Sequence, residues 1–156
     1  METRLPLDFS ELLSSLNERG VEYLLVGGYA VIYHGYPRAT GDIDVWVRQS
    51  PENASRIVRA LQAFGFDVPG LVPGAFLGND KIVRMGVPPN RVEILTSISG
   101  VAFDDCWPQR DVADWGGVGV PVIGLRHLRE NKRASGRPKD LADLDELPAP
   151  PPRTDV

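Results

Sequence analysis

Apolar and polar positions along this chain follow two different periods, and the switches between them mark its elements. Leu12, Leu13 and Leu16 recur at helical spacing after Asp8-Phe-Ser-Glu11, a capping-box pattern in which Asp8 caps and Glu11 reaches back; Gly20 is a natural stop. Val21 to Val26 is a short, β-rich apolar run ending at Gly27-Gly28, which predicts a buried strand. Tyr29 to His34 predicts a short helix closed by Gly35 and Pro37. Asp42-Ile-Asp-Val-Trp-Val47 alternates strictly and predicts a second strand. Ser50-Pro51 supplies a cap and an N1 proline for a helix to Phe64, with Gly65 past its end.

Further on, Gly70 to Asn79 reads as loop. Lys81 to Met85 and Arg91 to Leu95 predict two strands joined by a turn at Pro88-Pro89-Asn90. Residues 100–117 show no regular pattern. Val118 to Ile123 predicts a last strand, and Gly124 onward a helix to about Ala134. Ser135-Gly136-Arg137-Pro138 breaks it, and Pro138 opens a final helix to Leu147. The expectation is one domain over 1–147 with a Pro-rich tail at 148–156. Interleaved helices and strands make the class α/β (or α+β), a mixed β-sheet flanked by helices.

Composition narrows the field without naming a chemistry. At 42% hydrophobic and 24% charged, the chain has the makeup of a globular domain, and its 156 residues can bury a proper core. Its apolar runs are too short to span a bilayer, and the first residues carry no apolar leader, so no membrane association is expected. Cys106 is the lone cysteine, which suits a cytoplasmic protein without an internal disulfide. The net charge of −4 argues against a long polyanion as partner. Arg126, Arg129, Lys132, Arg133, Arg137 and Lys139 nevertheless cluster, with Glu130 the only acid among them. Such a stretch suits one anionic ligand, or simply a solvated helix face.

Candidate chemistry concentrates between Gly27 and Trp46. A strand ending in two glycines before a helix can seat an anion, because glycine admits close backbone approach and a helix start offers free N–H groups; tight packing also explains it. Asp42 and Asp44 sit two apart in a strand, so both carboxylates share a face while Ile43, Val45 and Val47 take the other. Like charges so close raise each other's pKa, a conflict that a divalent cation removes, and hard oxygen ligands favour Mg²⁺ or Mn²⁺. Glu93, an acid between Val92 and Ile94, is the candidate third carboxylate if its strand neighbours that of Asp42 and Asp44. The plain alternatives are an exposed strand start and an edge-strand surface position.

Two blocks resemble a known family. Gly-Gly, thirteen residues, then Asp-Ile-Asp between apolar neighbours looks like the signature of the DNA-polymerase-β-like nucleotidyltransferases. Val26-Gly-Gly-Tyr-Ala-Val31, His34-Gly35, Arg38-Ala-Thr-Gly-Asp-Ile-Asp44 and Asn131-Lys-Arg-Ala-Ser-Gly-Arg-Pro-Lys-Asp-Leu-Ala-Asp143 are similar to the minimal, AbiEii-type members, some of them toxins of toxin–antitoxin pairs. The resemblance implies transfer of a nucleotide from an NTP, ATP among them, to an acceptor hydroxyl on a tRNA, a protein or a small molecule. It also implies a cognate antitoxin or partner chain. A non-catalytic nucleotide- or partner-binding module of the same fold is the alternative.

Carried onto this chain, the resemblance implies that Gly27 and Gly28 hold the β and γ phosphates, with backbone N–H groups standing in for the serine common at the second position. Asp42, Asp44 and Glu93 are the implied metal ligands and catalytic acids, with Glu93 where aspartate is commoner. Arg38 and Thr40 steady the loop or reach a phosphate, and Lys132 contacts the triphosphate. Arg133, Arg137 and Lys139 are weaker candidates, and Asp140 caps or salt-bridges the last helix. His34 and His127 read as structural. Trp46 shares the face of the two aspartates, where it either fills core or stacks a base. No P-loop, dinucleotide or zinc motif is present.

Overall fold

Six strands form one mixed sheet in the computed structural model, which describes residues 7–150, with backbone alone at 7 and 8. The elements run α1 (Leu7–Glu18), β1 (Tyr23–Val26), α2 (Gly27–Tyr33), β2 (Asp42–Val47), α3 (Pro51–Phe64), β3 (Ile82–Met85), β4 (Arg91–Leu95), α4 (Phe103–Cys106), β5 (Asp111–Trp115), β6 (Val118–Val122), α5 (Leu125–Ser135) and α6 (Pro138–Glu146). The strand order is β3-β4-β2-β1-β6-β5. β1 runs antiparallel to β2 and parallel to β6, β2 runs parallel to β4, and the outer strands β3 and β5 form antiparallel pairs with β4 and β6. The mixed α/β sheet flanked by helices is the architecture that the sequence predicts.

Local chemistry accounts for most boundaries. Ser50 accepts a hydrogen bond from the Asn53 amide at 3.1 Å, and Pro51 opens α3. The buried Asn53 amide then ties α3 to the sheet, accepting from Glu22 N and donating to Glu22 O and Arg48 O. Leu12, Leu13 and Leu16 of α1 are fully buried, as are Ile57 and Leu61 of α3, and these two helices pack on each other. Ile43 and Val45 are fully buried on one face of β2, which leaves the acids on the other.

Three expectations need correction. Asp8 lies inside the first turn of α1 rather than at its cap, and its side chain lies outside the described residues; an acid also suits the positive end of a helix. The helix after β1 begins at Gly27, not Tyr29, so both glycines belong to its first turn, where backbone N–H groups have no intrahelical partner. Residues 100–117 contain α4, a 3₁₀ turn at Trp107–Gln109 and β5. Of the tail, residues 151–156 lie outside the described residues.

Candidate active site

Strand pairing builds a charged square on one face of the sheet. Asp42 and Asp44 leave β2 on one side, and Arg91 and Glu93 leave β4 on the same side. In the parallel pair, Asp44 stands opposite Glu93 and Asp42 opposite Arg91. β3 adds Arg84 opposite Glu93. The three acids expected to meet are therefore adjacent, because β2 and β4 are neighbours.

Two arginines answer two of the acids. Arg91 donates from Nε to Asp42 Oδ1 and from Nη2 to Asp42 Oδ2, both at 2.8 Å. Arg84 donates from Nε to Glu93 Oε1 at 2.9 Å, and Arg91 Nη2 lies 3.5 Å from that same oxygen. Asp44 is treated differently: its Oδ1 is buried without a hydrogen-bond partner. Burial first, then the Glu93 carboxylate and its hydrogen bond, then Asp42, push the Asp44 carboxyl up to about 7, against a smaller opposing pull from Lys132.

Beside the acids, the two glycines leave a strip with no side chain. Gly27 has φ +67°, and a Cβ there would stand 2.1 Å from Asp44 Oδ2. A Cβ on Gly28 would stand 2.6 Å from Thr40 Oγ1 and 3.2 Å from Arg38 Nη1. Thr40 turns its hydroxyl onto Asp42 O at 3.1 Å, bracing the start of β2. The space a longer residue would fill at position 28 thus belongs to the loop that delivers the acids.

The C-terminal helices are fastened to this loop by a buried ion network. Lys132 Nζ lies 3.1 Å from Asp140 Oδ1 and 3.1 Å from Asp143 Oδ2, and all three side chains are almost wholly buried. Arg38 grips Asp143 from the other side at 2.8 and 2.9 Å. Asp140 also accepts from Ser135 and Arg137. Asp140 is therefore the salt-bridging residue expected of it. Arg38 steadies the loop, and the Lys132 ammonium is engaged by carboxylates at the cleft wall.

A cleft of about 670 Å³ opens over this face. Gly27, Gly28, Arg38, Thr40, Asp42, Asp44, Glu93 and Lys132 all line it, so every expected site residue is brought together. Arg137 and Lys139 line it too; Arg133 does not. Trp46 is 2% exposed and packs edge-on against Phe103 at 5.1 Å, so it fills core rather than stacking a ligand. His34 bonds Ile123 O at 2.7 Å and is structural. Sequence reasoning missed Arg84 and Arg91, although Arg91 shares the alternating face of Glu93 and was legible by that spacing.

Among the described residues, no three His, Cys, Asp or Glu side chains stand as a ready ligand set for a metal. Arginines take both Asp42 oxygens and one Glu93 oxygen. The donor chemistry nonetheless suits a hard divalent cation: all the ligands would be carboxylate oxygens, and the buried Asp44 Oδ1 lacks a partner.

No protein-family model matches this chain, and no curated protein matches it in sequence. Among solved structures it is similar to a Thermotoga maritima protein described as a "putative nucleotidyltransferase", with a TM-score of 0.60, 17% identity and 88% of each chain covered. The two chains share a fold, a mixed sheet flanked by helices that carries the Gly-Gly turn, the acidic pair and Glu93 of the present protein on one open face.

Proposed function

We propose that this protein is a Mg²⁺- or Mn²⁺-dependent nucleotidyltransferase. It moves a nucleoside monophosphate from an NTP to an acceptor hydroxyl and releases pyrophosphate. The observation that carries this reading is the in-register Asp44–Glu93 pair, with Asp42 two residues away and the side-chain-free Gly27-Gly28 strip alongside. The shared fold supports the class of activity.

Asp42, Asp44 and Glu93 would hold the divalent ion, which would neutralise the phosphates and lower the pKa of the acceptor hydroxyl. Gly27 and Gly28 bring backbone close to the β and γ phosphates. In transfer, the acceptor oxygen bonds to the α-phosphorus while the bond from that phosphorus to its bridging oxygen breaks. The bonding pair leaves with pyrophosphate, and the hydroxyl proton passes to Glu93 or to solvent. Within its superfamily the protein is of the AbiEii type, acts in the cytoplasm and works as a toxin with a cognate antitoxin or partner chain. Its acceptor is a tRNA, a protein or a small molecule.

Incubation with each α-³²P-labelled NTP and Mg²⁺, offered tRNA, lysate protein and a small-molecule panel in parallel, tests this. Label in one fraction, absent with Asp42→Ala/Asp44→Ala, is the expected result and names the acceptor class. A second reading, a non-catalytic nucleotide-binding module, is favoured by the arginines that already occupy Asp42 and Glu93. NTP with Mg²⁺ that raises the melting temperature but never yields pyrophosphate would select it.

A further inference from the structure

We propose that Arg91 is a resident countercation that closes Asp42 to a free divalent ion, so that the metal enters only with a triphosphate able to draw the guanidinium away. The inference rests on the reading of Asp42, Asp44 and Glu93 as metal ligands.

Arg91 and Asp42 are directly opposed on neighbouring parallel strands, so fork and carboxylate meet without either chain reaching around another group. The pair is bidentate at 2.8 Å on both oxygens, so the guanidinium takes the two syn lone pairs of Asp42 and sets a positive charge against the carboxylate that a second cation would need. The same Nη2 approaches Glu93 at 3.5 Å. One guanidinium thus spans two of the three acids that would hold the ion. Asp44, in contrast, keeps a buried oxygen with no partner.

Arg91 also has somewhere to go. Its side chain is 33% exposed and lines the cleft. A phosphate offers the same bidentate, anionic geometry as the carboxylate it would leave. While the latch is closed, the fraction of molecules competent for metal is small, and the apparent affinity for the free ion falls by that fraction. Metal and triphosphate then assist each other's binding reciprocally.

The test is titration of the metal-free protein with Mn²⁺ alone, followed by electron paramagnetic resonance of the free ion and by melting temperature. Arg91→Gln is expected to bind Mn²⁺ at least tenfold more tightly than wild type. Its metal-free form melts lower, because three acids then face one another, and Mn²⁺ restores the loss. Arg84→Gln removes a like charge from the same face without freeing Asp42, and its affinity is expected to rise no more than about threefold by through-space charge alone. Arg91→Lys keeps the charge, loses the fork and falls between; it serves also if Arg91→Gln does not fold. An Arg91→Gln affinity within threefold of wild type, or a shift no larger than that of Arg84→Gln, overturns the latch. The double variant Asp44→Asn/Arg91→Gln separates the two readings. Tight wild-type Mn²⁺ binding that Asp44→Asn abolishes leaves the acids as ligands and removes the latch. Tight binding in Arg91→Gln that the added Asp44→Asn does not weaken removes the ligand reading itself.

Discussion

A single methyl group separates Gly27 from collision with Asp44: a Cβ at position 27 would lie 2.1 Å from Asp44 Oδ2. The glycine is also held at φ +67°, where an L side chain costs roughly 1–2 kcal/mol. Gly27→Ala is therefore expected to act twice, straining α2 and driving the Asp44 carboxylate from its place. Stability should fall by about 2–5 kcal/mol, the strain plus the overpacking. Mn²⁺ affinity in the presence of an NTP should fall with it. Calorimetry beside a Mn²⁺ titration at saturating NTP checks both, and a variant that loses stability but keeps full metal affinity would show that Asp44 tolerates the displacement.

Gly28 is confined by different neighbours. Thr40 Oγ1 would stand 2.6 Å and Arg38 Nη1 3.2 Å from its added Cβ. Gly28→Ser is expected to lose about 1–3 kcal/mol rather than gain function. Pairing it with Thr40→Ala removes Oγ1, the atom that stands nearest, and should recover part of the loss. Thermal melts of the single and double variants decide this; an additive pair would mean that Thr40 is not the obstacle.

The strands that carry the site were legible because their two faces differ so sharply. In β2, Ile43, Val45 and Val47 go inward while Asp42 and Asp44 cannot, and β4 repeats the pattern around Glu93. Which strands would be neighbours was not legible, since nothing in Arg91-Val-Glu-Ile-Leu95 specifies β2 over β1. β5 escaped notice for a physical reason: Val112 is 65% exposed on this outer strand while small Ala113 is buried, the reverse of what side-chain hydrophobicity suggests. The hairpin signal Gly116-Gly117 that joins it to β6 was present all the same. The basic block near 126–139 reads in sequence as a seat for one anionic ligand or as a solvated helix face. What sequence could not show is that Asp140 and Asp143 turn back onto Lys132.

Asp44 should give the metal-free protein an unusual pH dependence. Its carboxyl sits near 3.8 in the unfolded chain and is pushed up to about 7 in the fold, by burial first and then by Glu93 and Asp42. Between those values the folded state holds a proton that the unfolded state releases, so this group's contribution is fully present below about pH 4 and is lost as pH rises through about 7. Asp44→Asn stays neutral throughout. Without metal, it is expected to melt higher than wild type at about pH 8, with the difference shrinking towards about pH 5. Excess Mg²⁺ together with an NTP at the higher pH should reverse the order, by stabilising the wild type more. Melting curves across pH, with and without Mg²⁺ and NTP, test this; a difference that does not change with pH would place the cost of Asp44 in packing rather than charge.

Lys132 is the residue whose expected role and observed contacts diverge most. Its ammonium lies 3.1 Å from each of two buried carboxylates, and Asp143 is shared with Arg38. Removing it leaves Asp143 to Arg38 alone and Asp140 to Ser135 and Arg137, so Lys132→Met is expected to cost about 3 kcal/mol and to lower the melting temperature by roughly 10 °C. The network should also fail in acid. Burial alone would raise the Asp140 carboxyl, yet hydrogen bonds from Ser135, Arg137 and Lys132 hold it down to about 2. Its stabilisation is complete above the unfolded value of 3.8 and is lost as pH falls towards about 2. Lys132→Met should flatten that acid limb. A direct phosphate ligand would behave otherwise, with weaker nucleotide binding and a melting temperature near that of wild type. Measuring both quantities in one variant therefore distinguishes a strut that holds α5 and α6 against the Arg38 loop from a side chain that reads the triphosphate.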